Sequence, residues 1–200
     1  MGRKALNKDI DPKSQKRAVM AEAAMPYFMS FGIKNFSMDS LAQSLNKSKT
    51  TVYKYFLSRE DLVEFIIRKK IMKLQNFESI LHNSELEYID RYEQSINYIG
   101  SVLKSISNKF LLEVSETYPE LWQEVQLFRK KASFLLDEYY QVGIKKGYFK
   151  KINPHILILT DQLFFESILS PKFLKRADIT IEKALQEYFK LKCHGMLAST

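Results

Sequence analysis

Residues 44–56, SLNKSKTTVYKYF, place ammonium, hydroxyl and phenol groups on a short segment with few apolar positions. Ser48 is suited to cap a short helix that buries Val52 together with Tyr55 or Phe56. The exposed side of this helix would carry lysine, threonine and tyrosine side chains. Such a surface is typical of a helix that enters the DNA major groove, which admits one α-helix.

The segment before it predicts a second short helix. Ser37 precedes MDSLAQSL, residues 38–45, and can accept a hydrogen bond from a free amide of the first turn. The inward positions of this helix are Met38, Leu41, Ala42 and Leu45. Asn46 can adopt the left-handed conformation that ends it. The two helices, joined by a turn of about four residues, form a predicted helix-turn-helix.

An arm and a first helix are predicted upstream. Residues 1–13 combine mixed charges with no apolar period and are interpreted as a flexible basic arm. A helical apolar period begins at Ser14 or Gln15, and Gly32 follows its end at a position suited to a left-handed residue. Pro26 lies inside this helix, where it removes a backbone hydrogen bond and should bend the axis.

The rest of the chain also predicts helices. Ser58, followed by Asp61, opens a long helix that is expected to reach about Leu81. Later apolar periods predict helices at residues 85–106, 108–116, 119–146, 154–169 and 179–192. With only 6 glycines and 5 prolines in 200 residues, the chain is expected to be all-α. We expect about nine helices in total.

The positive charge is confined to one end of the sequence. Residues 1–76 hold 15 Lys and Arg against 7 Asp and Glu, whereas residues 77–200 hold 16 of each. The net charge of +8 therefore lies in the N-terminal part. This distribution favours contact with a polyanion, and a solvated basic surface is the alternative.

Several classes of site are not expected. Cys193 is the only cysteine, and His82, His155 and His194 lack metal-ligand spacing. There is no nucleophile elbow, phosphate loop or dinucleotide fingerprint, so we expect no enzyme, cofactor or metal site. No apolar run is long enough for a membrane span, and no signal-peptide core follows Met1. A cytoplasmic location is therefore expected.

Residues 20–63, MAEAAMPYFMSFGIKNFSMDSLAQSLNKSKTTVYKYFLSREDLV, resemble the DNA-binding region of TetR-type transcriptional regulators. The resemblance rests on Ala23, Ala24, Phe28, Gly32, Phe36, Ser37, Leu41, Ala42, Ser48, Lys49, Thr51, Val52, Tyr53, Tyr55, Phe56, Ser58, Arg59, Glu60 and Leu62. These positions run in order over three helices and the start of a fourth. Asn46 and Lys47 depart from the family pattern, which usually has Gly and a small apolar residue there.

The resemblance implies a homodimeric, ligand-responsive repressor of a palindromic operator. It implies a helix-turn-helix DNA-binding domain at residues 14–60, joined by a long helix to a helical ligand-binding and dimerisation domain at 61–200. Together with the residues themselves, the resemblance leads to these predicted DNA-binding residues: Ser37, Met38, Lys47, Ser48, Lys49, Thr50, Thr51, Tyr53, Lys54, Tyr55 and Arg59. The alternative from another class is a helical protein that binds nucleic acid or other polyanions without sequence choice.

The second part of the chain is rich in aromatic residues. Residues 77–200 carry 18 of the 26 aromatic residues, which fits an aromatic core or an apolar pocket. The resemblance implies a pocket for an unknown small-molecule effector, with the candidates Phe110, Tyr118, Trp122, Phe134, Tyr139, Phe164 and Phe165. The last two long helices are expected to form the homodimer interface. Their candidate surface residues are Leu157, Leu159, Leu163, Ile168, Ile181, Leu185, Tyr188 and Phe189.

Overall fold

The computed structural model describes residues 12–104, 106–168 and 179–196. In these ranges the chain is built from α-helices, and the predicted all-α fold is confirmed. The predicted arm lies outside the described residues except for its last two positions. Pro12 and Lys13 already belong to the first helix, because proline suits the first turn of a helix.

The chain divides into two compact units, and the division falls after Ile66. The first unit contains α1 (Pro12–Phe31), α2 (Met38–Ser44), α3 (Lys49–Tyr53) and the first part of α4 (Arg59–Leu74). The second continues with α5 (Phe77–Leu81), α6 (Tyr88–Leu103), α7 (Asn108–Thr117), α8 (Pro119–Lys145), α9 (Pro154–Ile168) and α10 (Ile181–Met196). The domain boundary expected after residue 60 lies in the same helix as this division.

The first unit has an apolar core to which all four helices contribute. Its fully buried side chains are Ala24, Phe28, Leu41, Val52, Phe56, Leu62 and Val63. Arg17 of α1 packs on two aromatic rings of this unit. Its guanidinium lies 4.8 Å from the ring centroid of Phe56 and 4.7 Å from that of Phe65. The same guanidinium forms a 2.5 Å ion pair with Asp61. Arg17 therefore fixes α1 against α4, through cation–π contacts as well as charge.

The long helix expected from Ser58 to Leu81 is instead two helices. Ser58 does accept the amide of Asp61 at 3.2 Å, as predicted. However, α4 ends at Leu74, and the amide of Asn76 bonds the Lys73 carbonyl at 3.1 Å in a tighter, three-residue turn. Phe77 starts α5 after this turn and is buried, as is Leu81 at the end of α5. After this break α5 packs on α6.

The second unit has a core centred on tyrosines. Tyr92 of α6 and Tyr140 of α8 have no exposed surface, and their rings lie 5.8 Å apart in an edge-on contact. Pro119 and Pro154 begin α8 and α9, as predicted. In the described ranges no helix combines the length and the apolarity that crossing a membrane requires.

The surface expected for a homodimer on the last two helices is only partly exposed. Leu159 and Leu163 of α9 are 47% and 54% exposed. Four other residues expected there lie in the core, which corrects their assignment: Leu157, Ile168, Ile181 and Leu185. Their burial stabilises the unit rather than leaving surface for a partner.

Candidate nucleic-acid interface and effector cavity

The turn between α2 and α3 has the predicted left-handed residue. Asn46 has φ +49°, a conformation that asparagine tolerates better than most residues with a Cβ. Its amide bonds the Gln43 carbonyl at 3.0 Å, and the Lys47 amide bonds the Ala42 carbonyl at 2.9 Å. The departure from glycine at position 46 therefore leaves a closed C-terminal turn on α2.

Two serines cap the helices of this pair, as predicted. Ser37 accepts a hydrogen bond from the Ser40 amide at 3.0 Å, and Ser48 accepts one from the Thr51 amide at 3.1 Å. The hydroxyls of Ser48 and Thr51 also bond each other at 2.8 Å. Because α3 has only 5 residues, its single turn depends on this cap more than a long helix would.

The exposed surface of α3 and its turn is polar. Val52 is fully buried and anchors the helix on the core. The exposed side chains around it include those of Lys47, Ser48, Lys49, Thr50, Tyr53 and Lys54. Thr51 and Tyr55 are half-buried. This arrangement presents ammonium, hydroxyl and phenol donors on one short helix, as a nucleic-acid surface requires.

Three of the proposed DNA-binding residues have surroundings that the sequence did not indicate. Met38 is only 6% exposed, so its side chain lies in the core beneath the start of α2. Arg59 donates from Nη1 to the Ile33 carbonyl at 3.3 Å. Lys49 donates to Asp39 at 2.6 Å, and this hydrogen bond raises the pKa of the Lys49 ammonium. DNA contact by these residues stays a prediction.

Asp39 is the residue of this surface that sequence reasoning missed. It lies in the first turn of α2, where an acidic residue is ordinarily explained by the helix dipole. Its contact with Lys49 joins residues ten positions apart. No local sequence spacing predicts such a pair, because it forms only when the turn between α2 and α3 brings the two helices together.

A cavity of about 570 Å³ lies within the second unit. Its lining is largely apolar and includes Ile71, Leu74, Phe77, Ile96, Ile99 and Phe128. Among the described residues, no three His, Cys, Asp or Glu side chains come together so as to hold a metal ion. A cavity of this size and lining suits a small organic ligand.

The predicted effector-binding residues divide into two groups. Phe134 and Phe165 line the cavity. The lining does not include Phe110, Tyr118, Trp122, Tyr139 or Phe164. Phe110 is fully buried, Tyr139 stacks on Tyr88 with centroids 4.5 Å apart, and Phe164 stacks on Tyr188 at 3.9 Å. Aromatic content alone does not distinguish a lining residue from a core residue, and ligand binding by all seven stays a prediction.

A buried polar cluster forms part of the cavity wall and was not predicted. Asp161 is 2% exposed and forms an ion pair with Lys192 of α10. It accepts hydrogen bonds from Tyr140 at 2.8 Å, Tyr188 at 2.9 Å and Tyr92 at 3.4 Å. Desolvation lowers the pKa of Lys192, and the ion pair with Asp161 opposes this shift. The cluster joins α6, α8, α9 and α10.

Residues 21–66 match the family model described as bacterial regulatory proteins, tetR family. This span contains α2, α3, the second half of α1 and the first half of α4. Over most of its length the chain is similar to two HTH-type transcriptional regulators of Bacillus subtilis strain 168. It is 20% identical to YvaF over 165 residues, which cover 82% of this chain and 87% of YvaF. It is 24% identical to YhgD over 144 residues, which cover 70% and 75%.

Solved structures share the fold of both units. A TetR-family transcriptional regulator from Marinobacter aquaeolei VT8 aligns with a TM-score of 0.74 and 15% identity over 91% of each chain. The TetR-family regulator PfmR from Thermus thermophilus aligns with a TM-score of 0.67 and 19% identity, over 88% of this chain and 97% of PfmR. At these identities the alignments establish the fold alone.

Proposed function

We propose that this chain, which belongs to the TetR family of DNA-binding transcriptional regulators, is a ligand-responsive repressor that binds a palindromic operator as a homodimer. The observation that carries the proposal is the capped pair α2 and α3, in which α3 and its flanking residues expose Lys47, Thr50, Tyr53 and Lys54 around a buried Val52. Donors near the start of a recognition helix reach base edges, and lysine and tyrosine donors bond phosphate oxygens.

The roles proposed for the individual residues in DNA binding follow from the exposure of their side chains and from the hydrogen bonds that these side chains already form. Thr50 is exposed on the first turn of α3, which supports contact with a base edge. Lys54 is exposed just after the helix, which supports contact with a phosphate. Lys49 is held by Asp39, so it reaches a phosphate only by exchanging one anionic partner for another.

Dimerisation is proposed through α9 and α10. One five-residue recognition helix contacts few bases, whereas two related by a twofold axis can read two half-sites about 34–36 Å apart or at a multiple of that spacing. Ile156, Leu159 and Leu163 lie on one side of α9 at helical spacing and are 52%, 47% and 54% exposed. On α10, Leu191 is 74% exposed. Exposed apolar side chains at this spacing support a helix–helix interface.

Response to a ligand is proposed through the cavity of the second unit. The ligand would favour one of two dimer states, and the recognition helices would match the half-site spacing only in the other state. α4 contributes Ile67, Ile71 and Leu74 to the cavity lining and is the continuous helix that also contains Arg59. This continuity supports α4 as the element that carries the change. Repression is the usual direction of control in the family.

The test is the ratio of two affinities, measured by fluorescence anisotropy at one physiological salt concentration. A duplex that the protein selects should bind at least about 10³-fold more tightly than an unrelated duplex of equal length. A ratio near one would instead support the alternative, a basic protein that binds nucleic acid without sequence choice. Salt dependence alone does not separate the two, because phosphate contacts dominate both.

A further inference from the structure

Two carboxylates of the cavity lining in the second unit have buried oxygen atoms, and they differ in their hydrogen bonding. Both oxygen atoms of Asp161 already accept hydrogen bonds. Tyr92, Tyr188 and Lys192 donate to Oδ1, and Tyr140 donates to Oδ2. A ligand donor would have to displace one of these groups. Asp161 therefore forms a wall of the cavity and is not suited to be its polar recognition group.

Asp137 of α8 is the other of these carboxylates, and it is only half satisfied. Its Oδ2 accepts a hydrogen bond from the Gln141 side chain at 2.9 Å. Its Oδ1 is buried and receives no hydrogen bond. A buried carboxylate oxygen favours a donor, above all a charged one, and the mainly apolar lining strengthens such a bond.

The other charged side chains of the lining already have partners or water. Lys70 donates to the Val102 carbonyl at 2.8 Å. Arg129 bonds Gln126 at 3.0 Å and lies 3.7 Å from Glu166, whose side chain is 63% exposed. Lys130 is exposed to solvent. The lining thus contains satisfied cations and one anion with an unsatisfied oxygen, which favours a ligand that brings positive charge.

We propose that the effector of this cavity is an apolar amine, whose ammonium group pairs with the carboxylate of Asp137 while its hydrocarbon part fills the apolar lining. The proposal rests on the cavity being the effector site of the proposed function. It adds the chemical class of the effector, which the volume of about 570 Å³ limits to a small organic molecule. Ser133 lies one turn before Asp137 on the same helix and also lines the cavity, so it offers a second polar contact.

The first experiment uses three probes with one chain length: decylammonium, decanol and decanoate, each titrated calorimetrically into the full-length protein at pH 7. Decylammonium should bind about tenfold more tightly than decanol, because one charge-assisted hydrogen bond distinguishes them, and more tightly still than decanoate. Equal binding of decylammonium and decanol, tighter binding of decanoate, or no binding of decylammonium would each overturn the proposal. This arm needs no variant and no DNA.

The second experiment compares two α8 variants. Asp137→Asn should remove the preference for decylammonium over decanol while decanol still binds, because the amide keeps the shape and loses the charge. Glu138→Gln removes the neighbouring exposed charge, which does not line the cavity, and should leave the preference unchanged. A preference that survives in Asp137→Asn, or that falls equally in both variants, contradicts the role of Asp137. Operator binding measured separately distinguishes failure of this inference from failure of the proposed function.

Discussion

The Nζ of Lys49, at the start of α3, donates a 2.6 Å hydrogen bond to Asp39 Oδ2 in the first turn of α2. The pair links the two helices of the helix-turn-helix across its turn. Both side chains are exposed, 68% for Lys49 and 49% for Asp39, so the pair contributes little to stability. Its main consequence is electrostatic, because Asp39 neutralises the charge of Lys49, a residue that is proposed to contact phosphate.

Replacing Asp39 with asparagine should therefore strengthen DNA binding. Asp39→Asn removes a negative charge from the surface and frees the Lys49 ammonium, so affinity for any duplex should rise and the salt dependence should steepen by about one phosphate contact. Anisotropy titrations at several salt concentrations measure both quantities. Glu138→Gln makes the same charge change in the second unit and serves as the control. Weaker binding by Asp39→Asn would contradict this account of the pair.

Removing the ammonium of Lys54 should weaken all duplexes alike. Lys54 is exposed at the C-terminal end of α3, and a phosphate contact carries no sequence information. Lys54→Ala should lower affinity for the operator and for an unrelated duplex by the same factor, and reduce the salt slope by about 0.9. Lys145→Ala, at the end of α8, removes an equivalent exposed charge as the control. A loss confined to the operator would assign Lys54 to base recognition instead.

A charge introduced on the exposed side of α9 should weaken association of the proposed homodimer. Leu163 is 54% exposed on α9, and Leu163→Glu should raise the dimer dissociation constant at least about tenfold, because the interface would have to bury a carboxylate. Leu127→Glu is the matched control, since Leu127 is 68% exposed on α8. Sedimentation equilibrium measures the association of both. If the two variants associate equally well, the interface does not include this side of α9.

Stability should fall at alkaline pH because of the buried phenols. Burial raises the pKa of Tyr92 and Tyr140, and that of Tyr88 to about 12. Above a pH of about 10, unfolded tyrosines release protons that the folded state retains, so the free energy of unfolding falls by about 1.4 kcal/mol per pH unit for each fully buried group. The lowered pKa of Lys192 has the opposite effect on the free energy of unfolding, but this single group is outweighed by the three tyrosines.

Tyr92→Phe tests this reasoning, since phenylalanine keeps the ring and removes the titrating hydroxyl. Urea unfolding between about pH 10 and 11 should show a slope less steep by up to about 1.4 kcal/mol per pH unit in the variant. Between about pH 7 and 9, where neither state of the phenol ionises, the two proteins should give parallel curves. Identical slopes above a pH of about 10 would mean that Tyr92 titrates alike in the folded and unfolded states.

The parts of the fold that sequence predicted are those set by short-range chemistry. Ser37 and Ser48 cap the expected helices, and Asn46 adopts the expected left-handed conformation, because each effect involves residues within a few positions. The break after Leu74 was missed, since the apolar period continues through it to Phe77 and Leu81. After the break α5 packs on α6, and Phe77 also packs on Phe128 of α8, a contact between positions far apart in the chain that no local spacing signals.

The candidate sites were predicted unevenly for the same reason. Exposure of Thr50 and Lys54 follows from the position of Val52, which the helical period gives. The resemblance implied a pocket, but most of its lining could not be predicted, because it combines residues from α4 to α9. Asp137 and Asp161 have no sequence signal that separates them from surface carboxylates. The burial of their oxygen atoms depends on tertiary packing, which only the structure describes.

Selection of random duplexes by the purified full-length protein at physiological salt, followed by sequencing of the retained DNA, tests the central claim most directly. A sequence-specific homodimer should enrich an inverted repeat whose half-site centres lie about 34–36 Å apart, or at a multiple of that distance. Retention of DNA without any enriched sequence would contradict the claim and leave the chain as a binder of nucleic acid that does not select sequence.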